Sequence, residues 1–103
     1  MSAPLIISIP HRLGREEAVR RLRTGLSRAA TSIPVLKVDE ERWDGDHMFF
    51  RVRALGQPAS GHLDVGDDQV RVEVMLPWLL QRFAQMAQAM IRDRGTRLLA
   101  KRS

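Results

Sequence analysis

The sequence predicts an α+β domain in which an antiparallel sheet carries two helices on one face, in the order β-α-β-β-β-β-α. The first sign is a two-residue period. Leu63 and Val65 alternate with His62 and Asp64, and Val70, Val72, Val74 and Leu76 alternate with Arg71, Glu73 and Met75. That is the pattern of a half-buried antiparallel sheet, and Gly66-Asp67-Asp68-Gln69 supplies the turn between the two runs. The second sign is a change of period at Ala18, Val19, Leu22, Leu26, Ala29 and Ala30, which follow helical spacing. The third is a broad apolar face formed by Leu79, Leu80, Phe83, Met86, Ala87, Met90 and Ile91. Pro77 precedes it where a first-turn proline belongs.

The elements follow in chain order. Leu5, Ile7 and Ile9 mark an opening strand over residues 4–9, ended by Pro10. A helix is expected from Arg15 to Thr31, stopping before Pro34. Glu16 with Arg20 and Glu17 with Arg21 are favourably oriented i,i+4 pairs, worth roughly 0.2–0.5 kcal/mol each. Residues 35–43 return weakly to alternation, Asp44-Gly45-Asp46 forms a hairpin turn, and Met48, Phe50, Val52 and Ala54 continue the pattern. Gly56 to Ser60 reads as a loop, and Gly95 weakens the end of the last helix. Pairing apolar with apolar sets Val65 opposite Val70 and Leu63 opposite Val72, with Asp64 beside Arg71 and His62 beside Glu73. Extending the parity across the earlier hairpins predicts a charged row Asp39, Arg51, Asp64, Arg71 on an open, wet face of the sheet.

With 103 residues and 44% apolar content the chain forms one domain, residues 1–103, with one modest core. It has no cysteine, so neither disulfide nor thiolate chemistry is available. Its apolar runs are too short for a transmembrane segment, and its start does not resemble a secretory signal; a cytoplasmic protein is expected. The net charge is +5 and the pI about 11.2, which raises the question of nucleic acid. The charge is uneven: residues 11–31 carry +4, residues 32–77 carry −4 and residues 78–103 carry +5. The helices are basic and the sheet is acidic.

No group of residues forms a recognisable catalytic constellation. The serines lie in no nucleophile elbow, tyrosine is absent, and no Gly-rich phosphate loop occurs. Asp67 and Asp68 are expected to bond their own turn. His11 is expected to satisfy backbone groups at the strand-to-helix connection. His47 and His62 are expected on the wet face but apart, with His62 beside Glu73 and Arg53, so no metal centre and no cofactor are expected. The sheet's wet face is expected to expose Trp43, Phe49 and Met75, a candidate interaction surface. Arg12, Arg15, Arg20, Arg23 and Arg28 form a candidate basic face, continued by the Arg92 to Arg102 tail. Only five aromatic residues occur, and Trp78, Phe50 and Phe83 are expected in the core, which leaves no stacking platform for single strands.

Three motifs in order carry a family resemblance: His11-Arg12-Leu13-Gly14 with Ala18; Gly61, Leu63, Val65, Asp68, Val70 and Val72; and Leu76-Pro77-Trp78-Leu79-Leu80 with Phe83. Together they resemble the polyhydroxyalkanoic acid system protein family, over about Leu5 to Leu99. Members are small bacterial proteins encoded near polyester-granule genes. The resemblance implies a non-enzymatic accessory protein of polyhydroxyalkanoate granules whose partner is the granule surface or a granule protein. It carries no catalytic residues over. Attachment is then expected through Trp43, Phe49 and Met75 or through the Leu98-Leu99 end. A homodimer is a further open state. The alternatives are a small basic nucleic-acid-binding module and a small-ligand carrier, the latter requiring a cavity above about 300 Å³ between the last helix and the sheet.

Overall fold

The structure, a computed structural model, describes residues 4–31 and 36–100, the side chains at 27, 29 and 30 aside. Pro34, Lys101 and Arg102, which bear on the first helix end and the basic tail, lie outside the described residues. The elements are β1 (Pro4–Pro10), α1 (Arg15–Thr31), β2 (Leu36–Asp44), β3 (His47–Ala54), β4 (Gln57–Val65), β5 (Gln69–Met75), a 3-10 helix (Trp78–Phe83) and α2 (Ala84–Leu98). The five strands form one antiparallel sheet in the order β1-β5-β4-β3-β2. The expected α+β architecture is therefore present, and β1 completes the sheet by pairing with β5.

Alternation decides which side of the sheet is covered. Ile7 and Ile9 from β1, Val70, Val72 and Val74 from β5, Leu63 and Val65 from β4, and Met48 from β3 all point to one side and are buried. Ala18 and Leu22 of α1 close over them. At about 25 cal/mol per Å² of apolar area, burying each large aliphatic side chain contributes roughly 1.5–3 kcal/mol. The last hairpin has the expected register: Val65 lies opposite Val70, Leu63 opposite Val72, Asp64 opposite Arg71 and His62 opposite Glu73.

Two turns differ from expectation, and both move side chains. The connection after β3 is the two-residue turn Leu55-Gly56, both with positive φ (54° and 78°), so β4 starts at Gln57 and not after a loop ending at Ser60. Pro58 is tolerated there because β5 pairing begins only at Ser60, leaving that end of β4 one-sided. This turn sets His47 opposite Asp64 and Arg51 opposite Ser60. The predicted row Asp39, Arg51, Asp64, Arg71 is thus corrected to Asp44, His47, Asp64, Arg71, Ser8. The turn after β2 likewise has only two residues, Gly45 and Asp46, since Asp44 already pairs with His47. Trp43 therefore lies opposite the buried Met48. A bulge between Val38 and Glu40 absorbs the change of parity, which keeps Leu36 and Val38 on the side of the helices, where they line an open part of it.

Helix α1 has the expected bounds, with Glu16 and Glu17 in its first turn and Arg28 in its last, both favourable to the helix dipole. The chain after β5 is less regular than expected. Leu80 donates its amide to Pro77 O at 2.8 Å, and Gln81 Nε2 donates to Leu76 O at 3.0 Å, which tightens the first turns into a 3-10 helix. Only Leu80 of that segment is buried. The C-terminal part of α2 rests on β1, and Arg21 of α1 hydrogen-bonds the carbonyls of Leu98 and Ala100 at the end of α2. That places a cation where helix carbonyls lack partners.

Candidate functional site

Helix α2 makes its close contact with the sheet near Gly95 and carries no fully buried residue. Under it runs an apolar groove of about 450 Å³. Its floor is Val52, Ala54 and Ala59 of β3 and β4, and its wall includes Met86, Met90 and Ile91 of α2. Arg94 also lines it, with its Nε shielded from solvent and lacking a hydrogen-bond partner among the described residues. An unpaired buried donor is costly, so this guanidinium is a ready partner for an anionic or carbonyl oxygen.

Two of the groove's lining residues, Phe83 and Met86, are exposed to water, and the chain just before them exposes two more large apolar side chains. Trp78 is 72% exposed and Met86 61%, and Leu79 and Phe83 are exposed beside them. Trp78 is not the core residue expected, and Phe83, 37% exposed, is only partly covered. The physical reason lies in the apolar face itself: seven apolar residues from Leu79 to Ile91 span more helix surface than one sheet contact covers, so Leu80 anchors the segment and its neighbours Trp78 and Leu79 remain outside. That excess width was the sequence signal for an exposed stripe. Arg94 carried no separate signal within the run of cations after Arg92.

The expected interaction surface is not assembled on one face. Trp43 belongs to the covered side, where its ring lies 5.2 Å beneath the Arg23 guanidinium and its Nε1 donates to Glu41 Oε2 at 2.9 Å. Phe49 and Met75 do lie on the open face, but Phe49 sits beside Arg42 and opposite His62, whereas Met75 lies opposite Pro4 and Ser60. They form no contiguous patch with the indole. The basic face is partly neutralised. Arg15 pairs with Asp46 at 3.3 Å and Asp67 at 3.5 Å, Arg20 pairs with Glu17, and Arg23 covers Trp43, while Arg12 and Arg28 remain exposed. Glu17 is held at a pKa of about 2 by its hydrogen bonds from Arg20 and Arg21. Glu40 is lowered in the same sense by Arg42.

The histidines divide into two kinds. His11 is buried, accepts the Leu13 amide at Nδ1 (3.2 Å) and donates from Nε2 to Gly66 O (3.1 Å). This is the local role expected, extended to the β4–β5 turn. His47 and His62, expected apart, instead have ring centroids 5.2 Å from one another, because the Leu55-Gly56 turn fixes a register that sets them diagonally across β3 and β4. Asp64 lies between them, with His47 Nδ1 at 2.5 Å from its Oδ1.

The molecule is thus a small two-layer α+β module whose distinctive feature is an open apolar groove, with no nucleophile–base–acid constellation among the described residues. The chain belongs to the family described as "Putative polyhydroxyalkanoic acid system protein", whose model matches residues 5–99. No curated protein matches it. Among the described residues no helix is long and apolar enough to cross a membrane.

Proposed function

We propose that this chain is a non-enzymatic accessory protein of the polyhydroxyalkanoate system, and that it attaches to the aliphatic polyester surface through the 3-10 helix and the first turns of α2. The observation that carries this reading is the run of exposed large apolar residues Trp78, Leu79, Phe83 and Met86, the last two of which line the apolar groove. An apolar patch of this continuity marks an interaction site. An alkyl-bearing polymer matches it chemically, and Arg94 offers a donor to an ester carbonyl. The nucleic-acid reading has less support, because Arg15, Arg20 and Arg23 are already engaged within the domain. A volume above about 300 Å³ also keeps a free alkanoic acid as an occupant to be distinguished.

The test uses tag-free protein, purified polyester particles and free alkanoic acids. Co-sedimentation with the particles that persists in high salt, with a blue shift of Trp78 emission, is the expected result. Met86→Glu places a charge in the contact, and losing one apolar side chain's burial, roughly 1.5–3 kcal/mol, lowers affinity at least about tenfold. Protein left in the supernatant over excess polymer overturns the proposal. Saturable binding of the free acid without sedimentation assigns the groove to a carrier role instead.

A further inference from the structure

The open face of the sheet, opposite the groove, gathers a second group of residues that polymer attachment does not use. Strand register sets His47 directly across from Asp64, and His62 precedes Asp64 by two on β4, so all three share one face. A ligand atom from each lies within 4.8 Å of the other two. His62 Nε2 is 3.4 Å from Glu73 Oε2, the residue opposite it on β5.

The environment of the other His62 nitrogen is the informative detail. Its Nδ1 is shielded from solvent and has no hydrogen-bond partner among the described residues. It faces Asp64 Oδ2 across 3.9 Å, too far for a hydrogen bond. With Nε2–H directed at Glu73, Nδ1 presents a lone pair. The unpartnered His62 lone pair thus faces the Asp64 carboxylate, whose other oxygen holds His47 Nδ1. A cation between them would satisfy both once the Asp64 carboxylate turns inward by a few tenths of an ångström, since two ligand atoms about 2.0–2.2 Å from one tetrahedral ion stand roughly 3.3–3.6 Å apart. Glu73 behind the imidazole completes the carboxylate–histidine–metal arrangement that fixes tautomer and ring orientation.

We propose that His47, His62 and Asp64 bind a divalent transition-metal ion of the zinc class, with Glu73 as a positioning residue behind His62. Two imidazoles and one carboxylate suit such an ion, and the exposed side of the cluster leaves room for water in the remaining positions. Arg71, across from Asp64 on β5, is the nearby cation in the same row and opposes the bound charge. The site is independent of the groove, which lies on the other face.

The experiment is calorimetric titration of tag-free protein with zinc chloride in a non-chelating buffer, paired with the visible absorption spectrum of the cobalt form. One ion per chain is expected, with tetrahedral cobalt bands. His62→Ala and the isosteric Asp64→Asn should each weaken binding more than tenfold, while Glu73→Gln should weaken it about 10–100-fold with the cobalt spectrum still present. Arg71→Ala should strengthen it. All four positions are at least partly open to water, and circular dichroism confirms that each variant is folded. Absence of saturable zinc binding by the unaltered protein, or binding unchanged by Asp64→Asn, overturns the proposal. Loss of polymer attachment in Met86→Glu with zinc binding intact separates this site from the groove.

Discussion

Gly95 of α2 and Ile9 of β1 approach so closely that a β-carbon on residue 95 would stand 2.4 Å from Ile9 Cδ1. The missing side chain lets the helix backbone settle onto the strand, which offsets the glycine's poor helix propensity. Gly61 of β4 is tighter still, since a β-carbon there would meet the Glu73 carbonyl at 2.1 Å and Phe50 Cζ at 2.8 Å.

The two glycines should therefore respond differently to alanine. At Gly95 the helix gains about 1 kcal/mol, and the obstructing atom is the end of a flexible side chain, so the net change should fall within about 1 kcal/mol of zero. At Gly61 the obstruction is a backbone carbonyl held in the β4–β5 ladder, so overpacking should cost about 3 kcal/mol or more. Urea unfolding of the two variants checks this, and equal losses would contradict it.

Leu55 holds a left-handed conformation, φ 54°, ahead of Gly56. Such a residue costs roughly 1–2 kcal/mol, least for asparagine. Leu55→Asn should raise stability by about 0.5–1 kcal/mol in an Asn-Gly turn of the preferred hairpin type. Leu55→Val should lower the melting temperature.

His11→Ala should destabilise the fold by about 1–3 kcal/mol, because it leaves the Leu13 amide and the Gly66 carbonyl without a shared partner. Hydrogen exchange at the Leu13 amide should rise with it. An unchanged exchange rate there would remove His11 from the role of tying two turns together.

Glu17 should remain ionised down to a midpoint of about 2. Its folded pKa lies below the ordinary value of 4.5, so the stabilisation is complete above that value and is lost as pH falls towards 2. A carboxyl-detected NMR titration should give this midpoint. In Arg20→Ala it should move upward, with Arg21 holding the remainder.

The sheet and its burial were legible where alternation was uninterrupted, as in Val70, Val72 and Val74 against Leu63 and Val65. The placements that failed trace to turn length, one residue too long after β2 and three too long after β3. A three-residue turn at Asp44 to Asp46 would turn Trp43 to water, and the actual two-residue turn carries it beneath α1. In the same way, reading Gly56 to Ser60 as a loop hid the register that joins His47 to Asp64. Alternation reports which residues share a face, but not which strand partner each one meets. The exposed stripe at Trp78 was obscured for another reason, since periodicity cannot say how much of a wide apolar face finds a partner.

Strand β2 forms one of the two edges of the sheet, and it carries the bulge at Asp39 amid Lys37, Glu40, Glu41 and Arg42. An incoming polypeptide would have to lay its backbone along that kinked, densely charged rim, which disfavours growth by strand addition. At this edge, fibril-like stacking of copies is thereby discouraged.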